Sequence, residues 1–531
     1  MKFIKFSLFG LMILMLIGLL GCSEESQDQN GDNSETEENE GTPGGNQELT
    51  VAYDATPPTM DPHMTTALAT LELIKPVYEG LVALDTKYVP QPMLAESWTV
   101  SEDGKEIVFQ LREDIKFHNG ETLDAEDVVA SLERWIELSV LGKGNFSDAT
   151  IEAVDPHTVS ITLTEPNALA VVILANPTQG AVIMPKETIE NAGADGIEEY
   201  IGTGPYKLEE YIDGQSLTYK KFADYQPLEE PADGLSGKKE ALVETIKVEI
   251  VTDPSTRVAG IQTGQYDIAV KLPIDNYETL QNVDGIEHYA KDPTFGTMIL
   301  NQADGVFQDQ AARQAVLASL DIDDISKATF GSDEFYEVNH SLAVESQVDW
   351  YNEAGQEKYN APDLEKAKQL LEESGYNGEE VVLLVTRLYS EHYNAAIAIE
   401  QQLKEVGFNV KLEVYDWTTL LEVRNDPTVW DLTITTWPAE AIPSNFVFLY
   451  SKNEYPGWIQ NELMDSLIDG IKEAPSQEEA LELFSELQAE FYDYVPTIKY
   501  AEFLRYHASR DNIKGFDGFY GIHLWNVTKE E

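Results

Sequence analysis

The side chains most often used in catalysis are scattered through this chain of 531 residues rather than grouped into a motif. No two of its eight histidines are three or four residues apart, the spacing that places two imidazoles on one helix face around a metal ion. The sequence also lacks the G-x-S-x-G, H-E-x-x-H and Walker A patterns. These absences favour a binding protein over an enzyme, and we expect no cofactor and no bound metal.

The balance of charge is strongly acidic. There are 95 Asp and Glu against 35 Lys and Arg, which gives a net charge of -60. Such a surface repels nucleic acid phosphates, so we expect no nucleic acid partner. The acidity is typical of a protein kept soluble in a salty or alkaline medium; specific capture of a cationic partner is the alternative. A chain of this length with 42% hydrophobic residues should fold into two or three lobes.

The single cysteine, Cys22, cannot form an intramolecular disulfide, and its setting suggests another use. Lys2 and Lys5 precede an apolar run over residues 6–20, an order typical of an export signal. Leu19-Leu20-Gly21-Cys22 resembles the lipobox of bacterial lipoproteins. That resemblance implies a signal peptide at 1–21 and a diacylglycerol anchor on Cys22. The alternatives are a transmembrane anchor and an ordinary secretory signal with an incidental cysteine.

Residues 22–47 differ sharply from the rest of the chain. From Ser23 to Gln47 there is no aromatic residue and no β-branched aliphatic, while Glu, Asp, Asn and Gly are frequent. Such a segment buries too little apolar area to offset its conformational entropy. We therefore interpret it as a disordered acidic tether behind the lipidated cysteine.

Strands and helices alternate through the remainder. Alternating apolar residues predict strands at 49–53, 245–251 and 409–415, and a hairpin over 95–111 turning at Asp103-Gly104. Mixed elements of this kind indicate an α/β sheet.

Two helices have clear start signals. Asp124 is placed to cap a helix over 125–138. Pro362 is expected at the first position of another helix, with Gly375 just beyond its end.

Residues 94–135 read LAESWTVSEDGKEIVFQLREDIKFHNGETLDAEDVVASLERW. This stretch closely resembles the signature of the family 5 extracellular solute-binding proteins, the oligopeptide, dipeptide and nickel-binding group. Further matching blocks follow in the family's order, from about Leu49 to the C-terminus: Tyr78-Glu79-Gly80-Leu81, Gly202-Thr203-Gly204-Pro205-Tyr206, Arg313-Gln314-Ala315 and Gln401-Gln402-Leu403.

The resemblance implies an α/β, two-lobed periplasmic-binding-protein-like fold of class II, with an extra subdomain in lobe I and a hinge of two chain crossings. Lobe I would comprise 48–83, 198–297 and 501–531, the extra subdomain 84–197, and lobe II 298–500. The crossings are expected near 298–301 and 498–501.

The resemblance also implies a function. A small solute, expected to be a peptide, would bind between the lobes and be delivered to the transmembrane subunits of an ABC permease. The protein would be a monomer, lipid-anchored on the extracytoplasmic face of the cell membrane, at a Gram-positive cell surface. Two rivals stay open: the same fold binding a nickel chelate, an oligosaccharide or an opine-like molecule, and a solute-sensing receptor.

The first expected ligand residue is Glu440. In peptide-binding members a carboxylate three residues after a cleft tryptophan pairs with the α-amine, and Glu440 has that spacing from Trp437. The usual residue is Asp, and Ile442-Pro443 stands where the family commonly has Asp-Pro. The alternative is an exposed loop acid, and for Trp437 it is core packing.

The other expected ligand residues are spread along the chain. Arg387 resembles an arginine that holds the peptide carboxylate in dipeptide binders; a surface salt bridge is its alternative. Trp417 is expected to line a side-chain pocket or to pack in the core. Thr65 and Thr66 would face the cleft by resemblance alone. His392 is the one histidine considered for a metal chelate.

Overall fold

The fold is described by a computed structural model that covers residues 48–530. The expected signal peptide, Cys22 and the tether lie outside the described residues. Within 48–530, no helix combines the length and the hydropathy needed to cross a membrane.

The strands are short except for two long ones, β12 and β17. In chain order they are β1 (Glu48–Tyr53), β2 (Val82–Leu84), β3 (Pro90–Pro92), β4 (Ala95–Val100), β5 (Glu106–Leu111), β6 (Thr150–Asp155), β7 (Thr158–Thr162), β8 (Tyr206–Ile212), β9 (Ser216–Lys221), β10 (Thr245–Ile250), β11 (Ile268–Ala269), β12 (Ile286–Leu300), β13 (Tyr336–Glu337), β14 (Glu380–Thr386), β15 (Asn409–Tyr415), β16 (Leu432–Pro438), β17 (Thr497–Arg510), β18 (Ile513–Lys514), β19 (Asp517–Gly518), β20 (Ile522–His523) and β21 (Thr528–Lys529).

The helices lie between these strands. They are α1 (Leu68–Leu73), α2 (Ala125–Leu138), α3 (Val140–Phe146), α4 (Ala170–Ala175), α5 (Lys186–Glu190), α6 (Pro254–Thr263), α7 (Tyr277–Leu280), α8 (Gln310–Ser319), α9 (Ile322–Phe330), α10 (Leu364–Glu373), α11 (Ser390–Val406), α12 (Trp417–Val423), α13 (Glu462–Glu473) and α14 (Gln477–Tyr494).

One mixed sheet runs through both lobes in the order β15-β14-β16-β12-β17-β11-β1-β10-β9-β8. In lobe I, β1 is parallel to β10 and β11; in lobe II, β14 is parallel to β15 and β16. Alternate residues of β1 pack into two different cores, because both faces of such a sheet are covered. Segments that follow β1, β10, β14 and β15 leave the carboxyl ends of parallel strands, the usual place for ligands in α/β sheets.

The long strands β12 and β17 pair with each other and connect the lobes. Their register breaks between Lys291 and Thr294. Pro293 has no N–H for the ladder, and Asp292 has a φ of 61°. A second register shift lies between Gly296 and Thr297, opposite residues 499–501. The crossings expected at 298–301 and 498–501 stay a prediction. The expected segment boundaries stay a proposal.

The local predictions for the extra subdomain are confirmed. The hairpin pairs β4 with β5, and its sheet has the order β4-β5-β7-β6. Asp124 caps α2 in a full capping box with Asp127. In lobe II the position of Pro362 was wrong: Asp363 is the cap of α10, because its side chain accepts a hydrogen bond from the Lys366 N–H, and Pro362 precedes that cap. Gly375 follows the helix with a φ of 76°, as expected.

Candidate functional site

A cavity of about 650 Å³ lies at the carboxyl ends of the parallel strands. The β1 side of the mixed sheet, expected to be lobe I, contributes the segment after β1, including Asp54. The β14 side, expected to be lobe II, contributes the segment after β14 and Trp417 at the start of α12. Small-molecule sites have about 300–1,000 Å³, so this volume suits a small solute. Because both lobes line it, a bound solute would touch both at once.

Arg505, on β17, lines this cavity without a partner of its own. Among residues 48–530, its guanidinium makes no hydrogen bond and no ion pair. Burial raises the pKa of Tyr389 and of Glu391, and the positive charge of Arg505 acts against both shifts. The guanidinium therefore faces these two lobe II side chains across the cavity.

Arg257 lines the same cavity in a very different state. It is 5% exposed, and it donates four hydrogen bonds of 2.7–3.1 Å to backbone carbonyls. These carbonyls belong to Val251, Thr252, Val270 and Lys271, just beyond β10 and β11. Arg257 thus ties two strand ends together and has little capacity left for a ligand.

Lys271 is the third cation of the lining, and it too is engaged. Its ammonium donates to both carboxylate oxygens of Glu72 at 3.0 Å and lies 3.5 Å from Asp54 Oδ1. Burial works against the charge of Lys271, but the two carboxylates outweigh it and raise the pKa of Lys271. This cation is neutralised within lobe I.

A second cavity, of about 380 Å³, adjoins the register break of the long strands. Phe503 lines both cavities. The second lining carries three acids, Glu337, Glu345 and Glu502, and no basic residue. The smaller cavity is therefore lined by acids, whereas the larger one is lined by Arg505, a cation without a partner among residues 48–530.

Glu440 lies in the loop after β16, near the acidic cavity. Its carbonyl accepts a hydrogen bond of 2.8 Å from Gln347, which directly follows the lining residue Ser346. Burial raises the pKa of Glu440 to about 8, and within the described part of the chain its carboxyl has no hydrogen bond or ion pair. Burial raises the pKa of Tyr88 and Tyr520, and the charge of Glu440 adds to both shifts. Glu440 is thus a largely buried acid without a counterion.

With this geometry in place, comparison with known proteins identifies the family. The family model described as bacterial extracellular solute-binding proteins, family 5, middle region, matches residues 89–457. The chain belongs to this family. Its members are the substrate-binding components of ABC transporters rather than enzymes, in agreement with the absence of catalytic motifs from the sequence.

Individual relatives of this family 5 protein are also named as solute-binding proteins. The probable peptide ABC transporter periplasmic-binding protein y4tO of Sinorhizobium fredii is 28% identical over 493 residues, covering 88% of this chain and 91% of the relative. The glutathione-binding protein GsiB of Escherichia coli O1:K1 is 30% identical over 376 residues, 70% of each chain. The agropinic acid complex of AgaA from A. tumefaciens R10 superposes with a TM-score of 0.72 at 25% identity, covering 91% of this chain and 99% of AgaA.

The two tryptophans expected in the site of this family 5 protein differ in position. Trp417 lines the larger cavity and packs edge-on against Tyr389, with ring centroids 5.4 Å apart. Trp437 donates its indole N–H to Thr297 at 2.9 Å and packs against Phe448. It lies outside the lining of both cavities.

Arg387 is exposed in the loop between β14 and α11, and its guanidinium contacts a residue of α11. It donates to the hydroxyl of Tyr393 at 2.8 Å and lies 4.6 Å from the centre of that ring. The next two residues, Leu388 and Tyr389, line the larger cavity, but Arg387 does not. Its expected contact with a ligand carboxylate stays a prediction.

The remaining expected residues also lie outside the lining. Thr65 accepts a hydrogen bond of 3.0 Å from the Ala67 N–H, and Thr66 is exposed. His392 is buried behind Trp417; burial, and then the charge of Arg505, lower its pKa to about 3. Among residues 48–530 no group of three or more His, Cys, Asp or Glu is arranged to hold a metal ion.

Sequence reasoning missed Arg505 because no motif marks it. One signal was present: it is a basic residue between buried residues of a long strand, in a chain where acids outnumber bases 95 to 35. Only the pairing of β17 with β12 and β11 places that residue at the cavity.

Proposed function

We propose that this protein binds a short peptide between its lobes and delivers it to the membrane subunits of an ABC importer. The observation that carries the proposal is the largely buried, unpaired carboxyl of Glu440 beside a cavity system that both lobes line. The names of the relatives y4tO and GsiB, which refer to a peptide transporter and to glutathione, point the same way.

Glu440 would receive the α-amine of the peptide. An ammonium group provides the missing counterion and charge-assisted hydrogen bonds, which stabilise the carboxylate form. Binding would therefore lower the pKa of Glu440 from about 8 and release a proton at neutral pH. Tyr88 and Tyr520, near the same carboxyl, would add hydroxyl groups around the amine.

Closure of the lobes would couple binding to delivery. A ligand favours the closed form only if it binds that form more tightly than the open one. Contacts from Asp54 in lobe I and Trp417 in lobe II to one peptide would supply that difference.

The cellular setting is part of the same proposal. Cys22 would carry the lipid anchor, holding a monomer on the extracytoplasmic face of the membrane at a Gram-positive cell surface. A Cys22→Ser variant should be released into the medium, and light scattering of the purified protein should give one chain per particle. Retention of that variant on the membrane with its signal peptide cleaved would contradict the anchor.

An opine-like solute is the second candidate. AgaA, whose structure contains agropinic acid, covers this chain almost end to end, and the Glu440-Ala441-Ile442-Pro443 loop departs from the usual peptide-binding pattern. Oligosaccharides are weaker candidates, because a neutral sugar offers Glu440 no counterion. Nickel chelates are weaker because residues 48–530 contain no group of three or more His, Cys, Asp or Glu arranged to hold a metal ion.

A thermal-shift screen tests the proposal. Di- to pentapeptides with a free amine should raise the melting temperature, and N-acetylated copies of the same peptides should not, because a ligand of the folded state stabilises it. Glu440→Gln should weaken binding of the free-amine peptides, whereas the matched variant Glu345→Gln, in the acidic cavity, should have little effect. Stabilisation by agropinic acid, nickel-histidine or a sugar, with none by any peptide, would overturn the peptide assignment.

A further inference from the structure

We infer that Arg505 binds a free carboxylate of the solute, so that the site selects ligands with an anionic group in the larger cavity. This inference rests on the proposed function, since it takes the cavity as the ligand site. It names the group that discriminates between solutes, and it assigns that role to Arg505 rather than to Arg387.

The first argument is the bonding state of the cations that line the cavity. Arg257 donates hydrogen bonds to four backbone carbonyls, and Lys271 is neutralised by Glu72 and Asp54. Arg505, by contrast, has no partner among the described residues. A planar guanidinium with free donors binds a carboxylate through two parallel hydrogen bonds.

The second argument is the local charge. In the whole chain acids outnumber bases by 95 to 35, yet the cavity lining has three bases and only two acids, Asp54 and Glu391. Burial raises the pKa of Glu391, which favours its neutral form, and Asp54 lies 3.5 Å from the ammonium of Lys271. The lining therefore has more basic than acidic side chains, and among residues 48–530 Arg505 is the one of its three cations that has no partner.

The third argument is the helix that faces Arg505. The first residues of α11, Ser390 and Glu391, line the cavity, and the N-cap residue Tyr389 makes no side-chain capping hydrogen bond. The dipole of this helix favours an anion at such an end. Arg505 comes from the lobe I part of β17 and α11 from lobe II, so a carboxylate between them would bridge the lobes.

The carboxylate could belong to the C-terminus of a peptide or to an acidic substituent of the solute. Glu440 lies near the acidic cavity and Arg505 in the neighbouring one, so an extended peptide would direct its amine to the first and its C-terminus to the second. Both sources share the same chemistry at Arg505, and the ligands of the experiment separate them.

Calorimetric titration with three tripeptides provides the test: trialanine as the free acid, trialanine amide, and Ala-Ala-Glu amide. The wild-type protein should bind the free acid about 10- to 100-fold more tightly than trialanine amide. Arg505→Gln should remove that preference by weakening only the free acid, and Arg387→Gln should leave both affinities unchanged. Recovery of affinity with Ala-Ala-Glu amide would show that a side-chain carboxylate also serves.

Each failure has its own meaning. Equal binding of acid and amide by the wild type, or equal weakening of both by Arg505→Gln, overturns the inference and leaves peptide binding intact. Loss of the preference in Arg387→Gln instead would assign the carboxylate to Arg387. If no peptide binds, the proposed function fails; agropinic acid is then titrated into wild type and Arg505→Gln, and unchanged affinity in the variant overturns the inference.

Discussion

Two regions of the molecule treat buried charge in opposite ways. In lobe I, Asp61 and Arg134 form a bidentate pair in which Arg134 Nη1 lies 3.0 Å from Asp61 Oδ1, and the Ile197 N–H also donates to Asp61. Although burial alone would raise the pKa of Asp61, these donors hold it below its ordinary value. Near the cavities, Arg505 and Glu440 have no such partners among residues 48–530.

We interpret the difference as one between structural charges and charges that are held for a ligand, as proposed above. A folded protein satisfies nearly all of its buried polar groups, so a charge that stays unpaired needs an explanation. The Asp61–Arg134 pair is complete and joins α2 to the segment between β1 and α1. Arg505 and Glu440 have no partner of opposite charge among residues 48–530. We expect a zwitterionic solute to provide one for each.

The largest effect is expected on breaking the complete pair. Arg134→Met leaves the Asp61 carboxylate buried and unpaired, which should lower the free energy of unfolding by about 3–5 kcal/mol in urea titrations. Lys186→Met removes an exposed ion pair with Glu126 and serves as the control, with no measurable change expected. A small effect of Arg134→Met would mean that a fully hydrogen-bonded ion pair is not a sign that its charges stabilise the fold.

Glu440 should make stability depend on pH in a characteristic direction. Its pKa is about 8 in the folded protein and 4.5 as its ordinary value, so the folded state holds the proton longer and loses stability as the pH rises between these values. Relative to wild type, Glu440→Gln should gain roughly 1 kcal/mol per pH unit over that window. Unfolding titrations at pH 4.5, 6 and 8 would measure it, and parallel curves for the two proteins would show that Glu440 is not buried as an acid.

Arg257 extends the comparison of paired and unpaired charges to the larger cavity, where it is a fully bonded cation. Arg257→Gln leaves backbone carbonyls beyond β10 and β11 without donors, so the free energy of unfolding should fall by about 2 kcal/mol in the absence of ligand. Unchanged stability would show that these hydrogen bonds do not hold the strand ends.

The smallest effect on stability is expected for Arg505→Gln. Among residues 48–530 the Arg505 guanidinium makes no hydrogen bond and no ion pair, so the ligand-free variant should match wild type within about 0.5 kcal/mol. The same urea titration measures it. A loss comparable with that of Arg257→Gln would mean that Arg505 supports the fold and is not held free for a solute.

The sequence by itself determined the family, the α/β class and the local elements. The capping box of Asp124, the Asp103-Gly104 hairpin and Gly375 beyond α10 depend on residues a few positions apart, so a short window of sequence contains them. Pro362 was misplaced by two residues because Asp363 competes for the same helix start and accepts the capping hydrogen bond.

Only the tertiary structure decided which charges are paired. Arg257 finds its carbonyls up to 14 residues away, but Lys271 meets Glu72 across 199 positions and Arg134 meets Asp61 across 73. The sequence marked Arg387 and Glu440 through their neighbours, yet it could not reveal that Arg387 contacts Tyr393. Nor could it reveal that Arg505 faces a cavity without a partner among residues 48–530. Whether a charge is satisfied depends on which distant strands lie beside it, and that is a property of the folded sheet rather than of any local pattern.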